Sequence, residues 1–144
     1  MLYIIDHIED PLIVFVLDDP VRPEIPVTWR IEDNKQIIML VDENYKPQAV
    51  VCVAYCDFVP SSVDELMLDS KDPTHAIFYT IWSYSAGAGR ALIQQSRKHI
   101  QEQNKNISRF VTLSPPTEMA RNFHLKNGAS VFRDNQVTVN YEYK

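Results

Sequence analysis

The stretch FVTLSPPTEMARNFHLKNGA, residues 110 to 129, carries two side chains capable of proton chemistry, Ser114 and His124. A hydroxyl can donate to a developing negative charge, and an imidazole can donate, accept or carry a proton near neutral pH. Both also have plain structural explanations. A serine ahead of a proline is a common helix start. Pro116, however, disfavours helical angles at Pro115, which puts the helix start at Pro116 or later and leaves Ser114 outside the usual capping position. Projected at 100° per residue, Pro116, Met119, Ala120, Phe123 and Asn127 form one side of that helix and His124 falls at its edge. From the residues alone, a half-buried histidine bonded to a neighbouring strand is the preferred reading of this position. The helix from Pro116 to His124 rises about 12 Å, so the two groups are expected to bracket a small ligand without bonding each other. That spacing suits separate roles better than a serine nucleophile activated by histidine.

A second cluster is SAGAG, Ser85, Ala86, Gly87, Ala88 and Gly89, followed by Arg90. Glycines at a strand-to-helix junction let the backbone approach a ligand. The free N–H groups and positive dipole of the helix terminus favour an anion such as phosphate. Neither the dinucleotide nor the P-loop spacing is present, so the bare pattern also reads as a tight turn. His7, His75 and His99 share no spacing with Cys52 and Cys56 that suggests zinc, and no metal site is expected.

The elements that must hold these groups can be read from periodicity. KQIIMLV and QAVVCVAYC are apolar runs joined by DENYKP, which predicts a hairpin with a buried face. HAIFYTIW is a further strand. In the segment that follows, Gly89, Leu92, Ile93, Ser96 and Ile100 share one side of a helix, while Arg97, Lys98, Gln101 and Glu102 are expected to face water. RFVTL is a strand, PPTEMARNFHLKNG a second helix ended by Gly128 in the left-handed position, and ASVF and QVTVNYEY are closing strands. In the last of these, Tyr141 and Tyr143 alternate with Asn140 and Glu142, which predicts one buried and one wet face. LIVFVL in the opening third fits a short helix or a buried strand equally. Trp29, Trp82 and Phe78 are expected as core or pocket-wall aromatics. The order suits a mixed central sheet with helices on its faces, an α/β (α+β) fold.

The totals bound the function. The 144 residues, 45% hydrophobic and 23% charged, are expected to fold as one domain, 1–144. A formal net charge of −5 disfavours non-specific attraction to nucleic acid or anionic lipid. Cys52 and Cys56 would share a strand face roughly 13 Å apart, too far for a disulfide. Two buried thiols, no membrane-length apolar run and an opening MLYIIDHIED without a basic region lead to the expectation of a cytoplasmic protein. A homo-oligomer is left open.

The strand, loop and helix of HAIFYTIWSYSAGAGRAL resemble the GNAT superfamily, the Gcn5-related acyltransferases, whose signature is Q/R-x-x-G-x-G/A. The match is Tyr84 to Gly89, with Tyr84 at the position of the polar residue. The resemblance implies a GNAT-like mixed sheet. It also implies a coenzyme A thioester, malonyl-CoA or acetyl-CoA, held along Ile81, Trp82 and Ser83 with its pyrophosphate at Ser85 to Arg90. The family's later block N-x-x-A-x-x-x-Y-x-K-x-G-F is answered by Ala120, Lys126 and Gly128, with His124 at the tyrosine. AIFYTIW, GRALIQ, FVTLSP, FHLKNGA and VNYEY are similar, over residues 76 to 144, to blocks of malonyl-CoA decarboxylase catalytic domains. Relative to those enzymes the loop between TIW and GAG is several residues shorter, the long insertion between Ala129 and Val139 is lacking, and no preceding helical domain is expected. That narrower resemblance implies Ser114 and His124 as the catalytic pair and a short diacid thioester as substrate. An N-acetyltransferase on an amine and a non-catalytic acyl-CoA sensor are the alternatives. Asp57 and Glu65 are candidate bases by location, and Arg97 and Lys98 candidate contacts to the nucleotide end.

Overall fold

The computed structural model describes residues 1–144. β1 (Leu2–Ile5), β2 (Lys35–Val41) and β3 (Pro47–Cys56) form an antiparallel meander to which β4 (His75–Ser83) adds. Beyond it come β5 (Arg109–Thr112), β6 (Ala129–Asp134) and β7 (Val139–Tyr143), giving one seven-stranded sheet of order β1-β2-β3-β4-β5-β7-β6. β4 and β5 are its parallel pair, connected by α2 (Ala88–Gln103). A short α1 (Val63–Leu66) precedes β4, and α3 (Glu118–Lys126) joins β5 to β6.

Alternation along the strands creates two cores. On one face Ile38, Val51, Val53 and Phe78 meet Leu92, Ile93 and Ile100 of α2. On the other, Ile37, Met39, Val50, Cys52 and Tyr79 are covered by the opening third and α1. Of the two forms left open, LIVFVL takes the short helix. It lies in a 3-10 helix, Pro11–Asp18, capped by Asp10, whose side chain accepts from Leu12 N–H. Both cysteines are buried and free.

The burial of β7 corrects one expectation. β7 lies between β5 and β6 and all five of its residues are buried: the face expected to be wet is covered where the segment before α1 meets Asn140 and where Arg109 meets Glu142. Asn140 donates to the carbonyls of Thr112 and Pro60, and Glu142 receives both nitrogens of the Arg109 fork.

What positions the site is a fork in the sheet. β4 pairs with β5 only from His75 to Phe78. At that point β4 carries a bulge: Cys52 and Val53 of β3 face Thr80 and Phe78, leaving Tyr79 as the extra residue. A bulge bends its strand and ends pairing locally, so β4 and β5 diverge. The guanidinium of Arg22 stands below the opening, its Nη2 donating to Leu113 O at 3.0 Å and its Nε to Tyr79 O at 3.4 Å. Arg22 is held by a buried network in the proline-rich segment. Arg30 and Asp19 pair at 2.6 Å with side chains 1% exposed, and Asp19 also accepts from Thr80 Oγ1 and from the N–H groups of Val21 and Arg22.

Candidate functional site

A cavity of about 360 Å³ fills the fork, within the size range of small-molecule sites. Phe78 to Ser83 of β4 form one wall, Leu113 to Pro115 the other, α3 the roof and Pro20 and Val21 the floor. Ser114 and His124 both line it. Trp82 and Phe78 are wall aromatics, whereas Trp29 packs away from it against Tyr79.

The β4 backbone supplies polar groups. Tyr84 N–H donates to Gln48 O, which sets the phase of the ladder: Trp82 and Tyr84 direct their amides at β3, and Ile81 and Ser83 direct theirs at the open fork. Of the loop residues, Gly89 reaches the cavity, and Ser85, Ala86, Gly87, Ala88 and Arg90 lie beyond its lining. Their backbone is nonetheless available, because the N–H groups of Ser85, Ala86, Gly87, Gly89 and Arg90 have no partner in the protein. Gly87 caps α2 at φ 77°, and a Cβ on Gly89 would stand 3.0 Å from the Phe123 ring. The first glycine therefore serves the turn and the second lets α3 approach α2. Tyr84 is exposed, accepting from Trp82 Nε1 and donating to Asp18. Gly87→Ala is expected to cost about 1 kcal/mol in chemical denaturation, the strain of a side chain in the left-handed region.

Ser114 is 4% exposed and extends the β5 path by an isolated bridge to Val139. Its hydroxyl is not as free as the helix argument implied, since Oγ donates to Thr112 Oγ1 at 2.7 Å, which in turn accepts from Tyr141 N–H. The helix begins at Glu118, within the expected start at Pro116 or later, with Thr117 as its cap.

His124 does not sit at a half-wet edge. It is 3% exposed, stacked on Tyr141, edge-on to Phe123 and Tyr143, with Nδ1 2.6 Å from Tyr143 Oη. Burial pushes its pKa down to about 4, so the ring is neutral at pH 7. It makes no hydrogen bond to Ser114. Because the unfolded ring takes up a proton from about pH 6.5 downward and the folded ring only near 4, stability from this residue is complete above 6.5. It is lost as pH falls through that window, by roughly 3 kcal/mol. Thermal melts between pH 7.5 and 4.5 should show that slope, reduced in His124→Phe.

Other expected contributors lie elsewhere. Asp57 bonds Ser70 and Lys71 N–H, and Glu65 bonds Ser61; neither lines the cavity. Arg97 does not point into water. Its guanidinium lies over the Phe110 and Tyr143 rings, 5.4 Å from each centroid, with Nε buried. No cluster of three His, Cys, Asp or Glu side chains could hold a metal ion, and no helix is long and apolar enough to cross a membrane. Sequence reasoning missed Asp19, Arg22, Thr112 and Tyr143. An Asp and two Arg among prolines carry no periodic signal of burial, and Tyr143 was visible only as one strand residue of an alternating pair.

No protein-family model matches the sequence, and no curated protein does. Solved structures do. The GNAT domain of S. lividans PAT superposes with a TM-score of 0.65 at 14% identity, over 99% of this chain and 88% of that one. The chain has the GNAT fold. Tetrahymena GCN5 gives a TM-score of 0.68 at 14% identity, over 99% of this chain and 94% of its own. Malonyl-CoA decarboxylase from Agrobacterium vitis gives 0.82 at 18% identity over 100% of this chain, which spans 60% of the decarboxylase.

Proposed function

We propose that this domain binds a coenzyme A thioester in the fork and decarboxylates a short diacid acyl group, malonyl-CoA or a near homologue. One observation carries the reading: a single cavity runs from Gly89 at the start of α2, past the open amides of Ile81 and Ser83, to Ser114 and His124. A pantetheine arm would add to the β4 edge as an extra strand does. The pyrophosphate would meet the unpartnered N–H groups from Ser85 to Arg90.

Loss of carbon dioxide from a malonyl thioester needs no nucleophile. The bond to the carboxylate breaks, its electron pair moves into an enolate, and the enolate oxygen needs donors already in place. His124 supplies a donor from a desolvated ring; Thr117, whose Oγ1 accepts from Ala120 N–H and keeps its own proton free, can orient the carboxylate, and Ser114 joins it only by turning its proton away from Thr112 Oγ1. The lining contains no charged side chain. A carboxylate held there loses its water without gaining a cation, which favours passage to neutral carbon dioxide. The same absence of Asp and Glu from the lining leaves amine acetylation without a base at the thioester.

Incubation with malonyl-CoA, and separately with acetyl-CoA plus a panel of amines, distinguishes the reactions by mass spectrometry of the products. Acetyl-CoA formed from malonyl-CoA, and no acetylated amine, is the expected result. Acetylated amine alone would replace this reading with an acetyltransferase, and binding without turnover of either would leave a sensor.

A further inference from the structure

Tyr143 lies just behind the cavity wall, 2% exposed, and its hydroxyl has one partner in the protein, Nδ1 of His124 at 2.6 Å. Burial raises its pKa, with Arg97 opposing, so the phenol keeps its proton. A neutral imidazole carries a single N–H. Were it on Nδ1, it would point at Tyr143 Oη and strand the phenolic proton in packed interior. With it on Nε2, the phenol donates to Nδ1 and both groups are satisfied. Nε2 itself makes no hydrogen bond to the protein and is not sealed in the interior.

We infer that Tyr143 is a positioning residue that fixes His124 as the Nε2–H tautomer, turning a neutral N–H donor, not a proton-transferring acid or base, toward the thioester. The kinetic part builds on the decarboxylation proposed above, whereas the tautomer belongs to the protein alone. In the reaction the enolate oxygen accepts from Nε2–H, and the carbon left by carbon dioxide takes its proton from water. Giving up the Nε2 proton would leave an imidazolate among Tyr141, Tyr143 and Phe123, an anion that burial opposes. Taking up a second proton is opposed by the same burial, and the cations on that side, Arg97 over the Tyr143 ring and Arg121 beside Tyr141, act on those tyrosines. Asp134 is the carboxylate on that side and acts on Tyr141.

Nitrogen-15 NMR of the unliganded protein at pH 7 should give His124 a protonated-type Nε2 and an acceptor-type Nδ1, with no titration of the ring through the ordinary histidine range. Tyr143→Phe, checked for folding by circular dichroism, should lose that single-tautomer signature. It should also lower kcat for malonyl-CoA about tenfold with KM little changed. His124→Gln places a carboxamide N–H near the Nε2 position. It should keep about tenfold more activity than His124→Ala, because a neutral donor can be replaced by another. A wild-type proton on Nδ1 overturns the assignment. So does a glutamine variant as inactive as alanine in an enzyme whose rate titrates near pH 6.5. If malonyl-CoA is not turned over at all, the decarboxylase reading falls while the nitrogen shifts still decide the tautomer.

Discussion

His124→Ala should lower the rate of malonyl-CoA decarboxylation by about 10²- to 10³-fold, the usual cost of removing one preorganised donor from a developing oxyanion. The loss should fall on kcat. Coenzyme A is proposed to be held by β4 and the loop into α2, which His124 does not touch, so KM should change little. Steady-state kinetics with malonyl-CoA checks both halves. A large rise in KM at unchanged kcat would place the imidazole in binding and remove it from the chemistry. The prediction is sharp because the ring is locked: Tyr141 stacks on it, Tyr143 holds Nδ1, and water has almost no access. A donor in such surroundings needs no reorganisation when charge appears, which is where its advantage over water arises.

Asp19→Ala should be the most destabilising single change in the floor of the cavity, costing about 3 to 5 kcal/mol in urea or guanidinium unfolding. The substitution leaves Arg30 charged at 1% exposure and removes the acceptor of Thr80 and of two backbone N–H groups. The double variant Asp19→Leu with Arg30→Met should recover much of the loss, because two apolar groups leave no unpaired charge in the interior. The effect should reach the ligand. Asp19 sets the turn that carries Pro20 and Val21 into the cavity floor and places Arg22 under the fork, so coenzyme A affinity, measured by calorimetry, should fall with stability. A loss below about 1 kcal/mol would mean that the pair is hydrated in solution.

Much of the frame was legible without coordinates. The β2–β3 hairpin, the buried face of α2 through Leu92, Ile93, Ser96 and Ile100, and the left-handed Gly128 all follow from signals a few residues long. Local periodicity and turn chemistry act within one element, so one sequence suffices to read them. The glycine loop was legible for a related reason, since only glycine sits easily at the φ of 77° that turns β4 into α2.

The site was less legible because each of its properties depends on a partner far along the chain. His124 looked half-exposed on its own helix. Its burial comes from β7, and β7 became central only when the sheet order set it between β5 and β6. Asn140 and Glu142, which alternation assigned to water, are covered by Pro60 and Arg109, residues 80 and 33 positions away in the chain. Arg97 read as a solvated cation because helical phase says nothing of the Phe110 and Tyr143 rings above which it lies.

By itself, then, the amino-acid order determined most strands and helices from Lys35 on, though not β1 or α1, where the chain would turn with glycine, and which hydroxyl and imidazole were candidates for chemistry. Folding decided what those groups are: a serine tied to Thr112, a histidine neutral at pH 7, and a fork propped by Arg22. Periodicity is a property of neighbours in sequence, whereas desolvation and hydrogen-bond partnership are set by neighbours in space.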